Sequence, residues 1–271
     1  MTSIDLAFAR RLEATHAWRC IHYADAWARL HPQQAPAVAR EIRGGWVILS
    51  GPGSPVHNAR GLGLHGPLNE ADLETIERLF REARLTPHID VCPLAEPSFV
   101  QLLAQHGYVL LEFQSMLWRN LAPPDENLLV PEDVQVRPAG PELAEVWIRT
   151  TAQGFSAGDS PAQDALDIMA ANFHAVNGAP FLAWWQGEPA GGGGMYVHEG
   201  AMELGGDSTR PAFRRRGVET ALILARLAAA REMGCDLAMA TTTAGSASQR
   251  NAERLGFRLA YTKAILSKPD P

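Results

Sequence analysis

The sequence is poor in cysteine and contains no long apolar run. Only three cysteines, Cys20, Cys92 and Cys235, occur among its 271 residues. They lie far apart and form no CxxC pair, so we interpret them as reduced, buried residues of a cytoplasmic protein. No stretch approaches the roughly 20 apolar residues that span a bilayer. The amino-terminal segment carries charges of both signs, which is not typical of a secretion signal.

The sequence also has fewer basic residues than acidic ones. The chain has 24 Lys and Arg against 30 Asp and Glu, a formal net charge of −6. General nucleic-acid binding needs a basic surface that displaces counterions, so we expect no nucleic-acid partner. With 46% hydrophobic and 20% charged residues, the composition is typical of a globular protein with a substantial core. The length predicts about two domains.

The clearest boundary in the sequence is the pair Pro123-Pro124, which neither a helix interior nor a central strand tolerates. We place a linker at about 121–132, between domains at 1–121 and 132–271. Both halves alternate strand-like and helix-like segments, which predicts an α/β fold with a mixed sheet. We expect a monomer or a homodimer.

The two halves repeat each other. Gly107-Tyr108 and Gly256-Phe257 each precede a strand-like segment and are related by a shift of 149 residues. The same shift aligns a predicted helix at 71–83 with one at 220–232. An internal repeat of this length predicts a duplicated fold, although chance agreement of two helix-rich segments is the alternative.

The most informative segment runs from a strand at 201–206 into a helix predicted at 215–233. Arg214, Arg215, Arg216 and Gly217 stand where that helix begins. The first backbone N–H groups of a helix have no partner within it, and the helix dipole places partial positive charge there. The segment therefore predicts a site for a phosphate-bearing ligand. A solvated basic surface with a glycine turn is the alternative.

This segment resembles the acetyl-CoA-binding signature of the GCN5-related N-acetyltransferases (GNAT), [Q/R]-x-x-G-x-[G/A], here Arg214 to Glu219. The order of elements from 134 to 268 is similar to the second half of that family, and 44–120 is similar to a degenerate copy of the fold. The resemblance implies two tandem GNAT-like domains, with acetyl-CoA as donor in the second. It implies CoA contacts from Ser208, Thr209, Arg214, Arg215, Arg216, Gly217, Val218, Glu219, Thr220, Ser248 and Asn251.

The family's reaction, direct acyl transfer to an amine, needs a base, and a carboxylate is the usual one. Glu203 and Asp207 are the candidates, and alternation along a regular strand would place both on one face. The backbone at Ser208 and Thr209 would stabilise the oxyanion. Many family members also carry a tyrosine that protonates the CoA thiolate.

Two positions depart from the family pattern. Ala252 stands where the tyrosine is usual, so Ser248, Tyr261, a water molecule or no group would supply the proton. Glu219 replaces a small residue, and we expect its carboxylate to point outward or to pair with an arginine. The first copy has His65-Gly66-Pro67-Leu68 in place of the signature, so we expect it to bind no CoA.

The sequence thus predicts an N-acetyltransferase that acts on an amine of a small molecule or peptide. The alternatives are a CoA-binding regulatory or scaffolding protein without transferase activity, and an enzyme that uses the arginine segment for another nucleotide. Neither His174 nor His198 forms a recognisable ligand set with cysteines or acidic residues, so we expect no metal. We also expect no membrane partner.

Overall fold

A computed structural model describes residues 4–34, 36–51, 53–122, 132–156, 160–175 and 178–269. The predicted linker falls mostly on 123–131, which lie outside the described residues. The chain divides into two compact units that do not follow the chain order throughout. The first comprises Met1–Leu117, Thr241–Arg250 and Arg258–Pro271, and the second comprises Trp118–Ala240 and Asn251–Phe257.

The first unit combines three helices with a mixed sheet. Its helices are α1 (Leu6–Leu30), α2 (Glu70–Glu82) and α3 (Pro97–Gln105). Its strands are β1 (Val38–Ile42), β2 (Gly45–Leu49), β3 (His57–Arg60), β4 (His88–Val91), most of β5 (Val109–Asn120) and β11 (Arg258–Ser267). The strand order is β1-β2-β3-β4-β11-β5. Strands β3 and β4 are parallel, whereas β11 runs antiparallel to β4.

Helix α2 shows why these residues form this fold. Its apolar residues Leu73, Ile76 and Phe80 recur at helical spacing and are fully buried. They pack in one core with strand residues such as Val47 and Ile89. The polar residues of α2 lie on its other side, so the helix covers one face of the sheet.

The second unit has the same kinds of element. Its strands are β6 (Val134–Pro138), β7 (Gly178–Trp185), β8 (Glu188–His198), β9 (Ala201–Thr209) and the first part of β10 (Leu237–Thr243). Its helices are α4 (Ala144–Gly154), α5 (Gln163–Phe173), α6 (Val218–Glu232) and the end of α7 (Ala247–Arg254). The strand order is β10-β9-β8-β7-β6, antiparallel except for the parallel pair β9 and β10.

The compact units differ from the expected domain ranges at 118–121, at 241–250 and in the last strand. The sequence predicts a single domain over 132–271. In the structure, β11 belongs to the first unit, where Ala264 pairs with Val91. Pairing between strands so distant in sequence leaves no local pattern from which it could be predicted.

Candidate active site

The segment between β9 and α6 is where the sequence predicts a phosphate site. A short 3-10 turn at Pro211–Phe213 follows β9, and α6 begins at Val218, three residues later than the sequence predicted. Arg215 and Gly217 adopt left-handed backbone conformations, with φ of 61° and 80°. Gly217 is the N-cap of α6 and has no side chain with which to cap the first N–H groups of the helix. The first N–H groups of α6, which belong to Val218, Glu219 and Thr220, therefore lie at an end that suits an anion.

The three arginines of the signature are all exposed but differ in their contacts. Arg214 Nη2 donates to Gly154 O (2.8 Å) and its Nε to Thr209 O (3.3 Å), so it ties the loop to the end of α4. Arg216 stacks over the Trp185 ring, at 5.2 Å from the ring centroid. Arg215, within the described part of the chain, makes no side-chain hydrogen bond or ion pair. Arg215 is thus the guanidinium best able to meet a ligand.

Ser208 and Thr209 end β9 directly before this loop. The Ser208 hydroxyl donates to Thr151 O (2.7 Å), and Thr209 pairs with Gly191 of β8. A Cβ atom added at Gly154 would clash with Ser208. The two residues are therefore packed against α4 and β8, and their contribution to a ligand would come from the main chain, as the sequence analysis expected.

The two candidate bases lie on opposite faces of β9, so the expectation of a shared face is wrong. The register between β8 and β9 shifts between Gly192 and Gly194, and Gly206 opposite has a φ of 66°. This bulge inserts one extra residue into β9, which reverses the alternation of side chains beyond it. Glu203 lies before the bulge and Asp207 after it.

Glu203 faces α4 and α5. Its cross-strand partner is Tyr196, whose hydroxyl donates to Asn172 O of α5 (3.0 Å), and opposed residues of an antiparallel pair share a face. The Glu203 side chain is completely buried. A base at this position would therefore reach an amine through a water molecule.

Asp207 faces α6 and is held by a buried arginine that the sequence analysis missed. Arg226 is fully buried, and its guanidinium forms an ion pair with the Asp207 carboxylate and donates to Gly194 O (2.9 Å). Glycine at 193 makes this possible, because a Cβ there would clash with Arg226 and Asp207. Two features of the sequence could have indicated this ion pair. One is an arginine within the otherwise apolar segment of α6, and the other is the run of four glycines in β8, which leaves space for it.

Glu219 contacts α7, where its hydrogen-bond partner is an asparagine rather than the expected arginine. Its Oε2 accepts a hydrogen bond from Asn251 Nδ2, and the side chain is half-buried. Burial raises the pKa of Glu219, as does the Asp207 carboxylate, whereas Asn251 and the guanidinium groups of Arg254 and Arg226 oppose this. Two predicted CoA-binding residues, Glu219 and Asn251, are thus in direct contact.

The groups considered as proton donors differ in position. Ser248 is exposed on α7, one turn before Asn251, and its role stays a prediction. Ala252 is buried. Tyr261 is buried in the first unit, where its hydroxyl donates to Glu13 Oε1 (3.0 Å). Burial raises the pKa of Tyr261, and Glu13 raises it further. The Tyr261 hydroxyl therefore already has a hydrogen-bond partner, Glu13, in the interior of that unit.

The corresponding helix of the first unit begins differently. The side chain of Asn69 accepts a hydrogen bond from Asp72 N (3.0 Å), and Asp72 accepts one from Asn69 N (3.1 Å). This capping box satisfies the N–H groups of Asn69 and Asp72, and Glu70 and Asp72 add negative charge at the start of α2. The start of α2 is therefore unsuited to an anion.

The described residues contain no cluster of three or more His, Cys, Asp or Glu side chains that could hold a metal ion. Among them, no helix combines the length and the apolar character needed to cross a membrane. All three cysteines are buried, and none of them forms a disulfide within the described residues.

Comparison with known proteins agrees with this fold. Residues 142–257 match the model of the Acetyltransferase (GNAT) family. The chain is similar to a GCN5-related N-acetyltransferase from Kribbella flavida, with 22% identity and a TM-score of 0.63 over 93% of this chain and 96% of that one. A GCN5-related N-acetyltransferase from Sphaerobacter thermophilus has 18% identity and a TM-score of 0.56 over 74% of this chain and 67% of that one.

A tandem GNAT protein from the clavulanic acid biosynthesis pathway has 14% identity and a TM-score of 0.59, over 91% of this chain and 88% of that one. No curated protein matches the chain. The predicted family resemblance and the predicted fold class are both confirmed. Residues 142–257 therefore form a GNAT-family domain, in a chain that has the fold of a tandem GNAT protein.

Proposed function

We propose that the second unit transfers an acetyl group from acetyl-CoA to a primary amine of a small molecule or peptide. The family match supports acyl transfer in general. The observation that carries the specific proposal is the start of α6, which lies within the matched range, has no side-chain cap, and follows three exposed arginines. A diphosphate fits such a place, because it can accept from several backbone N–H groups at once.

The donor would be held by the backbone of Gly217, Val218, Glu219 and Thr220 and by the Arg215 side chain. Acetyl-CoA supplies an acyl group activated as a thioester. The chain supplies orientation, since Arg214 fixes the loop to Gly154 and Thr209. The main chain at Ser208 and Thr209, at the end of β9, is the proposed donor to the oxyanion.

Glu203, rather than Asp207, would accept the proton that the amine loses. The amine nitrogen forms a bond to the acetyl carbon as the C–S bond breaks, so the amine loses one proton and the thiolate gains one. The Asp207 carboxylate is already paired with the buried Arg226. Glu203 would accept the proton through water. Ser248, or water, would return a proton to the thiolate.

A CoA-binding protein without transferase activity is the second candidate. The observation that favours it is Ala252, a buried methyl group at the position where many family members place the tyrosine acid. Release of free CoA thiol, measured with acetyl-CoA and a panel of amines, distinguishes the two. Amine-dependent release supports the transferase, and CoA binding without release on any amine supports the second candidate.

The test of the CoA site is Gly217→Glu, which adds a carboxylate at the start of α6. We expect CoA affinity, measured by calorimetry, to fall more than with Arg214→Ala, while the fold survives. The matched control is Gly234→Glu, since Gly234 follows the other end of α6, has a φ of 81° and has no neighbour within 4 Å of an added Cβ. Equal CoA affinity in the Gly217→Glu and Gly234→Glu variants would contradict the proposed CoA site at the start of α6.

A further inference from the structure

A carboxylate stands in the first turn of the helix that is proposed to hold a diphosphate. Glu219 is the second residue of α6, so its own N–H is one of those a bound anion would use. A negative side chain in this turn normally gains from the helix dipole. Ligand and side chain therefore compete for the same positive potential.

The groups around Glu219 balance little of its own negative charge. Its Oε2 accepts a hydrogen bond from the uncharged Asn251 side chain, and the Asp207 carboxylate on β9 raises its pKa. The guanidinium groups of Arg254 and Arg226 oppose the raised pKa of Glu219, but Arg226 is already paired with Asp207. The loop arginines that precede α6 are exposed.

We propose that Glu219 takes up a proton when the diphosphate of CoA binds at the start of α6, so that CoA affinity falls as the pH rises. This inference rests on the proposed function and adds to it the way in which the site responds to protons.

The sign of the effect follows from linkage. Burial and Asp207 already raise the pKa of Glu219 in the free protein, and a bound anion would raise that pKa further because it disfavours the charged carboxylate. Affinity is then constant below the lower of the two pKa values. It falls by up to about tenfold per pH unit between them, because one proton is taken up per ligand.

The experiment measures CoA binding by calorimetry from about pH 5 to pH 8, a range above the usual pKa of a glutamate. Two phosphate-free buffers with different ionisation enthalpies report the protons taken up at each pH. The wild-type protein should take up more protons than Glu219→Gln, by up to about one per CoA. The affinity of Glu219→Gln should be the higher one at the upper end of the range.

The matched control is Glu232→Gln, an exposed position in the last turn of the same helix, which should behave as the wild type. Glu219→Ala provides a second neutral variant if Glu219→Gln fails to fold. Equal proton uptake in the wild type and the neutral variants overturns the inference and leaves the proposed function intact. No CoA binding by the wild type at any pH overturns both.

Discussion

Arg215 combines an exposed guanidinium with a backbone conformation that favours glycine. Its φ of 61° lies in the left-handed region, which costs a residue with a Cβ roughly 1–2 kcal/mol. We expect Arg215→Gly to raise the free energy of unfolding by about 1 kcal/mol and to weaken CoA binding, since a ligand contact is lost. Thermal unfolding and calorimetry on the same samples measure the two effects.

Arg84 provides the control for this prediction. It is an exposed arginine of the first unit with a φ of 57°, so Arg84→Gly should give a similar gain in stability. CoA affinity should be unchanged in that variant. Loss of CoA affinity in both variants, or in neither, would contradict the role assigned to Arg215.

The pair formed by Asp207 and Arg226 predicts an asymmetric response to substitution. Asp207→Asn leaves a fully buried guanidinium without its anion, which should lower the free energy of unfolding by about 2–4 kcal/mol. The double variant Asp207→Asn with Arg226→Met removes both charges and should recover part of that loss. Urea unfolding of the two variants measures the difference, and a double variant less stable than the single one would show that the charge pair is not the cause.

Two equivalent helices that begin differently are the main contrast at the scale of elements. Asn69 and Asp72 close the start of α2 with reciprocal hydrogen bonds, whereas α6 begins at Gly217 without a side-chain cap. The stability of α2 should therefore depend on its cap. The function proposed for α6 depends instead on the absence of such a cap.

Asn69→Ala should lower the free energy of unfolding by about 1 kcal/mol, the usual cost of losing an N-cap side chain. CoA affinity should not change, since the first unit is not proposed to bind it. Glu74→Ala, an exposed position in the same helix, should alter stability by less than about 0.5 kcal/mol. Chemical unfolding and calorimetry measure both quantities, and a change in CoA affinity for Asn69→Ala would place a ligand at α2.

The sequence predicted the order of helices and strands better than it predicted the face of a strand on which each side chain lies. The order of β9, the arginine loop and α6 follows from local patterns, because a glycine-ended loop before a periodic apolar segment marks the start of a helix. The positions of Glu203 and Asp207 on opposite faces depend on a bulge at Gly206. Adjacent glycines at 205 and 206 permit such a bulge, but its exact register depends on the pairing with β8.

At the scale of the whole molecule, the repeat predicted duplicated elements but not the partners of the last strand. Gly107 and Gly256 mark equivalent positions, and β5 and β11 each follow one of them. The sequence does not show that β11 pairs with β4 of the first unit. Such pairing is decided by contacts between segments more than a hundred residues apart, which local periodicity does not record.

A buried charge cluster connects β11 to the rest of the first unit. Lys263 of β11 is fully buried and lies 3.2 Å from Glu13 Oε2 of α1 and 3.0 Å from Asp90 Oδ2 of β4. Burial alone would raise the pKa of Asp90, but Lys263, Arg60 and the donor from Asn58 hold it well below its usual range. Burial would likewise lower the pKa of Lys263, but Asp90 and Glu13 raise it.

These opposite shifts fix how stability depends on pH. The contribution of Asp90 is present above the usual pKa of an aspartate, about 3.9, and is lost as the pH falls through its lowered value. The contribution of Lys263 is present below the usual pKa of a lysine, about 10.4, and is lost as the pH rises through its raised value. The cluster therefore stabilises the first unit fully across neutral pH.

Lys263→Met should lower the free energy of unfolding at pH 7 by about 3–5 kcal/mol, because Glu13 and Asp90 lose the cation between them. The loss should become smaller as the pH falls towards about 4, since buried carboxylates without a cation bind protons more readily than exposed ones. Lys268→Met is the control: Lys268 is partly exposed and pairs with Glu77, so its loss should cost at most about 1 kcal/mol. Urea unfolding at several pH values measures both variants, and a destabilisation by Lys263→Met that grew as the pH fell would contradict a role for the lysine charge.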